Sequence, residues 1–215
     1  MNNSDTETLP VQNRRERRKL QIRERLVQAA VDLFSSRGFH RTTVEDITEA
    51  PDVGKGTFFN YFPSKEHVLG SLAEIQIGRL NEGLAAARTG RSTYEVLRDL
   101  SQVMPRLPGR SRLMTRSMMS GLAGSETVRT LILPGMMRGR EVLEEVFRLG
   151  QERGEIRTDL DPADMALMFQ QTMFGAIVLW SVGSDSDLPK IIDRTFPVMW
   201  QGVRVPKGVQ PEVES

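Results

Sequence analysis

Apolar side chains recur every three to four residues along most of this chain, and runs alternating with a period of two are nearly missing. The pattern predicts an all-α protein. Ile22, Leu26, Ala29, Ala30, Leu33 and Phe34 define a first helix, and Gly38 supplies the left-handed residue that ends it. Thr42 is placed to open a second helix, with Glu45 three residues on completing a capping box and Val44 and Ile47 turned inward. Pro51 cuts that helix short, because the residue before a proline is disfavoured in helical backbone. A third, short helix falls within GKGTFFNYF. From Ser64 the helices lengthen: Ser64 to about Ala87, Ser92 to about Met104, about Arg110 to Leu122, Ser125 to about Arg153 with a bend expected at Pro134, Asp161 to about Val182, and Leu188 to about Val203. The reading divides the chain near Pro63. Residues 1–20 are expected to form a basic arm, 21–65 a three-helix unit, 66–203 a larger helical bundle domain and 204–215 a tail without regular structure.

The short helix is unusual in carrying two glycines and several aromatics. At about 100° per residue, Phe58 and Phe62 share a face and can pack on the first two helices, whereas Gly56, Thr57 and Asn60 fall on the opposite side. That opposite side is small and polar, so another surface can approach it closely. Two short helices joined by Ala50-Pro51-Asp52-Val53 fit a helix-turn-helix, whose second helix enters the major groove of DNA. The same spacing also fits a helical corner whose polar side meets only water.

Composition narrows the chemistry. The 215 residues include no cysteine and two histidines, His40 and His67, which removes thiolate metal sites, disulfides, a cysteine nucleophile and any His-rich metal cluster. No Ser-His-Asp set or metal-ligand spacing can be assembled, and GKGT lacks the spacing of a phosphate-binding loop. The expectation is a protein that is not an enzyme and uses neither cofactor nor metal. The longest apolar run, Met173 to Trp180, is far short of the ~20 residues of a membrane helix. A soluble, cytoplasmic protein without a membrane partner is expected. Net charge is only +1, but Asn13–Arg25 gathers seven basic residues against Glu16 and Glu24. Such a cluster attracts a polyanion, or is simply a solvated helix surface.

The stretch RERLVQAAVDLFSSRGFHRTTVEDITEAPDVGKGTFFNYFPSKEHVL, Arg23 to Leu69, resembles along its length the DNA-binding domain of the TetR family of bacterial transcriptional regulators. The resemblance implies phosphate contacts at Thr42 and Thr43. It implies base contacts at Lys55, Gly56, Thr57 and Phe59, and backbone contacts at Asn60, Tyr61 and Lys65, with Gly54 at the helix start. Three departures stand out. Phe59 replaces the family's usual tyrosine and can offer only apolar contact, Gly54 replaces a common serine, and Pro51-Asp52 stands where a small residue and a glycine are usual.

Beyond Leu69 the resemblance is one of helical character alone. It implies a homodimer whose last two helices pair across a two-fold axis, with Phe174, Ile177, Val178, Trp180, Phe196, Met199 and Trp200 as the expected interface. Ten of the eleven methionines lie between Met104 and Met199. Met104, Met114, Met118, Met119, Met136, Met137, Met168 and Met173, with Phe169, are the expected lining of a pocket for an apolar inducer. The implied function is a repressor that leaves a palindromic operator on double-stranded DNA when a small molecule binds. The alternative is a helical ligand-binding or interaction module that does not bind DNA.

Overall fold

The computed structural model describes residues 14–106, 111–183 and 187–206. Among these, nine α-helices carry the fold: α1 Arg14–Ser36, α2 Val44–Glu49, α3 Lys55–Phe59, α4 Lys65–Arg88, α5 Thr93–Val103, α6 Arg112–Gly124, α7 Glu126–Glu152, α8 Pro162–Val182 and α9 Leu188–Val203. A 3-10 turn, Met104–Arg106, follows α5. The extended pairing among them is a single bridge between Ile156 and Arg204. Because α1 begins at Arg14, residues 14–20 belong to that helix and not to an arm; residues 1–13 and 207–215 lie outside the described residues.

Local signals explain most helix ends. Ser92, Ser111, Ser125 and Asp161 each accept a hydrogen bond from a first-turn amide, and Pro162 begins α8 where its missing N–H costs nothing. Gly38 adopts φ +83 after α1, as its position predicted. The cap of α2 differs from expectation. Thr43, in extended backbone, accepts from the Asp46 amide, and Asp46 Oδ2 accepts from the Thr43 amide at 2.8 Å. The capping box is therefore Thr43 with Asp46, one residue later than Thr42 with Glu45. Thr42 is buried instead, its hydroxyl donating to the Gly38 carbonyl at 2.9 Å.

The departure at Pro51-Asp52 proves compatible with an ordinary helix ending. The Asp52 amide donates to Glu49 O and the Val53 amide to Thr48 O, the paired bonds of a Schellman motif, with Asp52 in the left-handed position at φ 54. Aspartate tolerates that backbone better than most residues. Arg25 Nη2 donates to Pro51 O at 2.7 Å and ties the turn to α1.

Two apolar cores result. The first joins Leu26, Phe34, Ile47, Phe58 and Phe62 to Leu69 and Leu72 of α4, Met114 of α6 and Val128 and Ile132 of α7. The second joins Leu80 and Leu84 of α4 to α5, the rest of α7, α8 and α9. The chain does turn at Pro63, but packing divides α4 between Leu72 and Leu80. Helix α4 can lie this close to α7 because Gly135 and Gly139 have no side chains: a Cβ there would stand 3.0 Å from Ala73 Cβ and 2.9 Å from Leu80 Cδ1. Pro134 sits within α7, which continues unbroken past it.

Two substitutions test the turn. Asp52→Gly is expected to leave stability unchanged or raise it by up to about 1 kcal/mol, and Asp52→Val to lower it by ~1–2 kcal/mol, because a branched side chain is strained at positive φ. Denaturant unfolding of both variants measures the difference.

Candidate nucleic-acid interface

Helix α3 is only five residues long, and its orientation is set by two rings. Phe58 and Phe62 are buried, with ring centroids 5.5 Å apart, and they pack on Phe34 and Ile47 in the first core. This inward anchor leaves Gly54, Lys55, Gly56, Phe59 and Asn60 exposed on the other side, with Thr57 and Tyr61 half-buried at its edges. The surface is poor in side chains. A Cβ on Gly54 or Gly56 would meet nothing within 4 Å, and neither residue has a left-handed backbone. Glycine disfavours helix by ~1 kcal/mol relative to alanine. That cost falls on Gly56 within α3, since Gly54 is the extended cap residue, and nothing inside the chain offsets it. Phe59, at 52% exposure, is an equally uneconomical residue for a surface that meets only water.

Charge arranges the approach. Lys55 Nζ pairs with the Glu45 carboxylate at the start of α2, and this hydrogen bond is the first cause holding the Glu45 carboxyl below its usual range. Asp46 is also lowered, by the Thr43 amide first and the Thr43 hydroxyl second. Arg37 stands 3.4 Å from Asp46. The N-terminus of α2 thus already carries two carboxylates.

Several expected contacts take other roles. Thr42 faces the interior and offers its hydroxyl to Gly38 O, so it cannot reach a phosphate. Lys65 Nζ donates to Phe39 O and Thr42 O, both at 2.9 Å, and lies 4.7 Å from the centre of the Phe39 ring. Two of its three donors therefore hold the α1–α2 loop, and the residue is first a brace. Tyr61 packs against the first core. Sequence reasoning missed Arg25, Glu45 and Arg23, the last bonded to Ser71 at 2.7 Å with its guanidinium 5.6 Å from the Phe62 ring centre. Their partners lie up to 48 residues away, which no local pattern signals.

A second feature is an apolar cavity of about 170 Å³ between α4, α6, α7 and α8, on the boundary of the two cores. Met104, Met114, Met118, Met119, Met136 and Met173 line it as expected. Met137 instead points to solvent, one residue round the helix from Met136, while Phe169 is fully buried and Met168 packs on the second core. Gln76, Ile77, Gln170 and Phe174 are among the other lining residues and were not anticipated there.

The expected dimer residues are similarly redistributed. Phe174 lines the cavity, Ile177, Phe196 and Met199 are buried in the chain's own core, and Trp200 stacks edge-on to Tyr94 at 5.1 Å. Trp180 lies under Arg112 at 5.1 Å, and Val178 is half-buried. What α8 and α9 present outward is Leu179, Val182 and Val198, at 70%, 67% and 73% exposure, beside Gly175 and Gly202, whose Cβ positions are open. By length and composition alone α8 could cross a membrane. Its buried residues, Met165, Ala166, Phe169, Met173, Ala176 and Ile177, form the middle of the second core.

Residues 26–72 match the family model described as bacterial regulatory proteins, tetR family. The head of this chain is thus a TetR-family DNA-binding region. Among curated TetR-like relatives, the transcriptional repressor DhaR of Mycobacterium sp. (strain GP1) is 29% identical over 160 residues, 73% of this chain and 81% of the relative. The transcriptional regulator TcmR of Streptomyces glaucescens is 29% identical over 188 residues, 81% of this chain and 79% of the relative. Thermus thermophilus FadR, a TetR-family repressor solved in complex with lauroyl-CoA, is 28% identical with a TM-score of 0.63, covering 88% of this chain and 98% of that one. The fatty acid degradation regulator FadR of Bacillus halodurans, at 22% identity and a TM-score of 0.70, shares the fold across 84% of this chain and 95% of its own.

Two outcomes are expected of the free TetR-family head. Gly56→Ala should raise its stability by up to ~1 kcal/mol, since the methyl meets open space and gains helix propensity; thermal unfolding reads this. Because Asp46 has a lowered carboxyl pKa, the folded state binds fewer protons there than the unfolded chain. The capping contribution is therefore complete above the ordinary aspartate range and is lost as pH falls through the lowered value. The protection factors of the Thr43 and Asp46 amides, referred to the intrinsic exchange rate at each pH, should fall in acid, and Asp46→Asn should remove that dependence.

Proposed function

We propose that this chain is a cytoplasmic, homodimeric repressor that reads a palindromic operator and releases it when a small apolar molecule occupies the cavity. The observation that carries the reading is the bare strip on α3. Gly56 and an exposed phenylalanine are costly in the free protein and, with Gly54 at the cap, useful against a groove, where backbone and apolar side chain can approach base edges. Lys55 and Asn60 supply polar contacts, and Thr43, Thr57 and Tyr61 lie at the margin of the same strip. Lys55 must exchange Glu45 for a phosphate or base as it docks. One α3 reads one half-site, so two are needed about 34 Å apart for a palindrome. Members of this family act as dimers on operators. Here the open face bearing Gly175, Leu179, Val182, Val198 and Gly202 is the surface suited to pairing, since glycines let helices approach and the exposed aliphatics gain from burial.

Cavity and reading head share a wall. Met114 and Met118 of α6 line the cavity, and the same helix grips the end of α1: Ser111 Oγ donates to Ser35 O at 2.8 Å, Met114 Sδ lies 3.4 Å from Ser35 Oγ, whose proton goes to Val31 O at 2.6 Å, and Gly38 lies against Leu113 and Ser117. An occupant that displaces α6 or the middle of α4 therefore turns the head and changes the spacing of the two reading helices. A coupling of ~1–3 kcal/mol suffices to lower operator affinity by roughly 5- to 150-fold. DhaR and TcmR are named as a repressor and a regulator, and Thermus FadR holds lauroyl-CoA, which is consistent with such a device. The ordinary helix ending at Asp52 keeps the helix-turn-helix geometry compatible with DNA binding.

Fluorescence anisotropy with the palindrome from the protein's own promoter tests the reading. Lys55→Ala and Asn60→Ala should each weaken binding by about 1–3 kcal/mol, and Lys55→Ala should reduce the salt slope by about 1. Thr42→Val should leave affinity unchanged. Leu179→Asp with Val198→Asp should yield monomers in sedimentation and abolish palindrome binding. Wild-type indifference to sequence, or full affinity in both α3 variants, would sink the proposal.

A further inference from the structure

The cavity has a more specific chemistry than its methionines suggest. We propose that it takes an uncharged molecule with an apolar body and one O–H or N–H, which donates to Gln170. This inference rests on the cavity being the effector site.

Size comes first. At about 170 Å³ the space equals roughly six water molecules at ~30 Å³ each, well below the ~300–1,000 Å³ of pockets for drug-sized ligands. The occupant is a small molecule or one short chain. Charge comes second. The lining contains no Asp, Glu, Lys, Arg or His, so an ionised head would lose its hydration and find no counter-charge. A neutral molecule carries no such penalty.

The two carboxamides decide the rest. Gln76 is spent at both ends: its Nε2 donates to Met104 O, and its Oε1 accepts from Arg79 Nη1 at 3.1 Å. Arg79 is itself committed to Val103 O at 3.3 Å, at the end of α5, and caps that helix. Gln170 is different. Its Nε2 donates to Met136 O at 2.8 Å, which fixes which end of the amide is nitrogen, because a carbonyl can only accept. Its Oε1 is left as an acceptor without a protein donor among the described residues, and the neighbouring thioethers have no hydrogen to give. A hydroxyl or N–H on the occupant satisfies it. The bond that ties α8 to α7 through Met136 O uses only the nitrogen end of this amide.

The test uses isothermal titration of the full chain with hexan-1-ol, its isomer 1-methoxypentane, which accepts but cannot donate, and hexanoate at neutral pH. The wild type is expected to bind the alcohol about tenfold more tightly than the ether, the difference made by one hydrogen bond, and hexanoate more weakly than both. Gln170→Met, close in volume, should bind alcohol and ether equally while retaining the ether affinity of the wild type. Equal binding of alcohol and ether by the wild type overturns the inference without any variant. So does tightest binding of hexanoate, a preserved alcohol preference in Gln170→Met, or no binding of any probe. Operator affinity measured in parallel keeps the two claims apart: a Gln170-dependent alcohol preference that leaves DNA binding unchanged supports the cavity chemistry and removes the effector role.

Discussion

The close crossing of α4 over α7 at Gly135 and Gly139 is the constraint on which the rest depends. It lets one continuous helix contribute Val68, Leu69 and Leu72 to the first core and Leu80, Leu84 and Ala87 to the second. A side chain at Gly135 would push the helices apart, because its first atom would already stand 3.0 Å from the fixed Ala73 Cβ, and one at Gly139 would force the Leu80 side chain, 2.9 Å away, to turn aside. Packed interiors absorb such a shift poorly. The head is consequently not a bead on a linker. Its position is dictated by the body, and the cavity lies where the two cores meet.

That arrangement explains how weak local elements hold a sharp geometry. Helices of five and six residues are far below the length at which isolated helices persist in water. They survive because Phe58, Phe62 and Ile47 insert into a core built by α1, α4, α6 and α7, and because Arg25 and Lys65 fasten the connecting carbonyls. Stability drawn from the inner face leaves the outer face free to be unfavourable for folding. Gly56 and Phe59 of α3 are residues that a surface tuned only for stability would replace. The same logic applies to Gly175 and Gly202 on α8 and α9, where helix propensity is given up on a face with nothing of its own chain to touch.

Function then follows from shared walls. Helix α6 contacts the cavity through Met114 and Met118 and contacts α1 through Ser111, Ser35 and Gly38. Methionine suits such a wall because it changes shape at little cost. The charged groups lie elsewhere, at the entrance to the reading head, where Glu45 and Asp46 set the company that Lys55 and Arg37 keep before DNA arrives.

Helical periodicity, capping serines, the glycine after α1 and the inward pair Phe58 and Phe62 were all legible in the sequence. They depend on hydrogen bonds and side-chain directions within four residues, and local chemistry is what a sequence displays. The bare strip of α3 was legible for the same reason. Which side of a helix its own chain covers is a different kind of fact. Thr42 against Thr43, Met136 against Met137, and the inward turn of Phe196 and Met199 that leaves Val198 outside were each decided by partners far away in the chain. A rotation of about 100° per residue separates buried from exposed, and only long-range packing, which places Lys65 under Phe39 or Gln170 against Met136, fixes where that rotation stops.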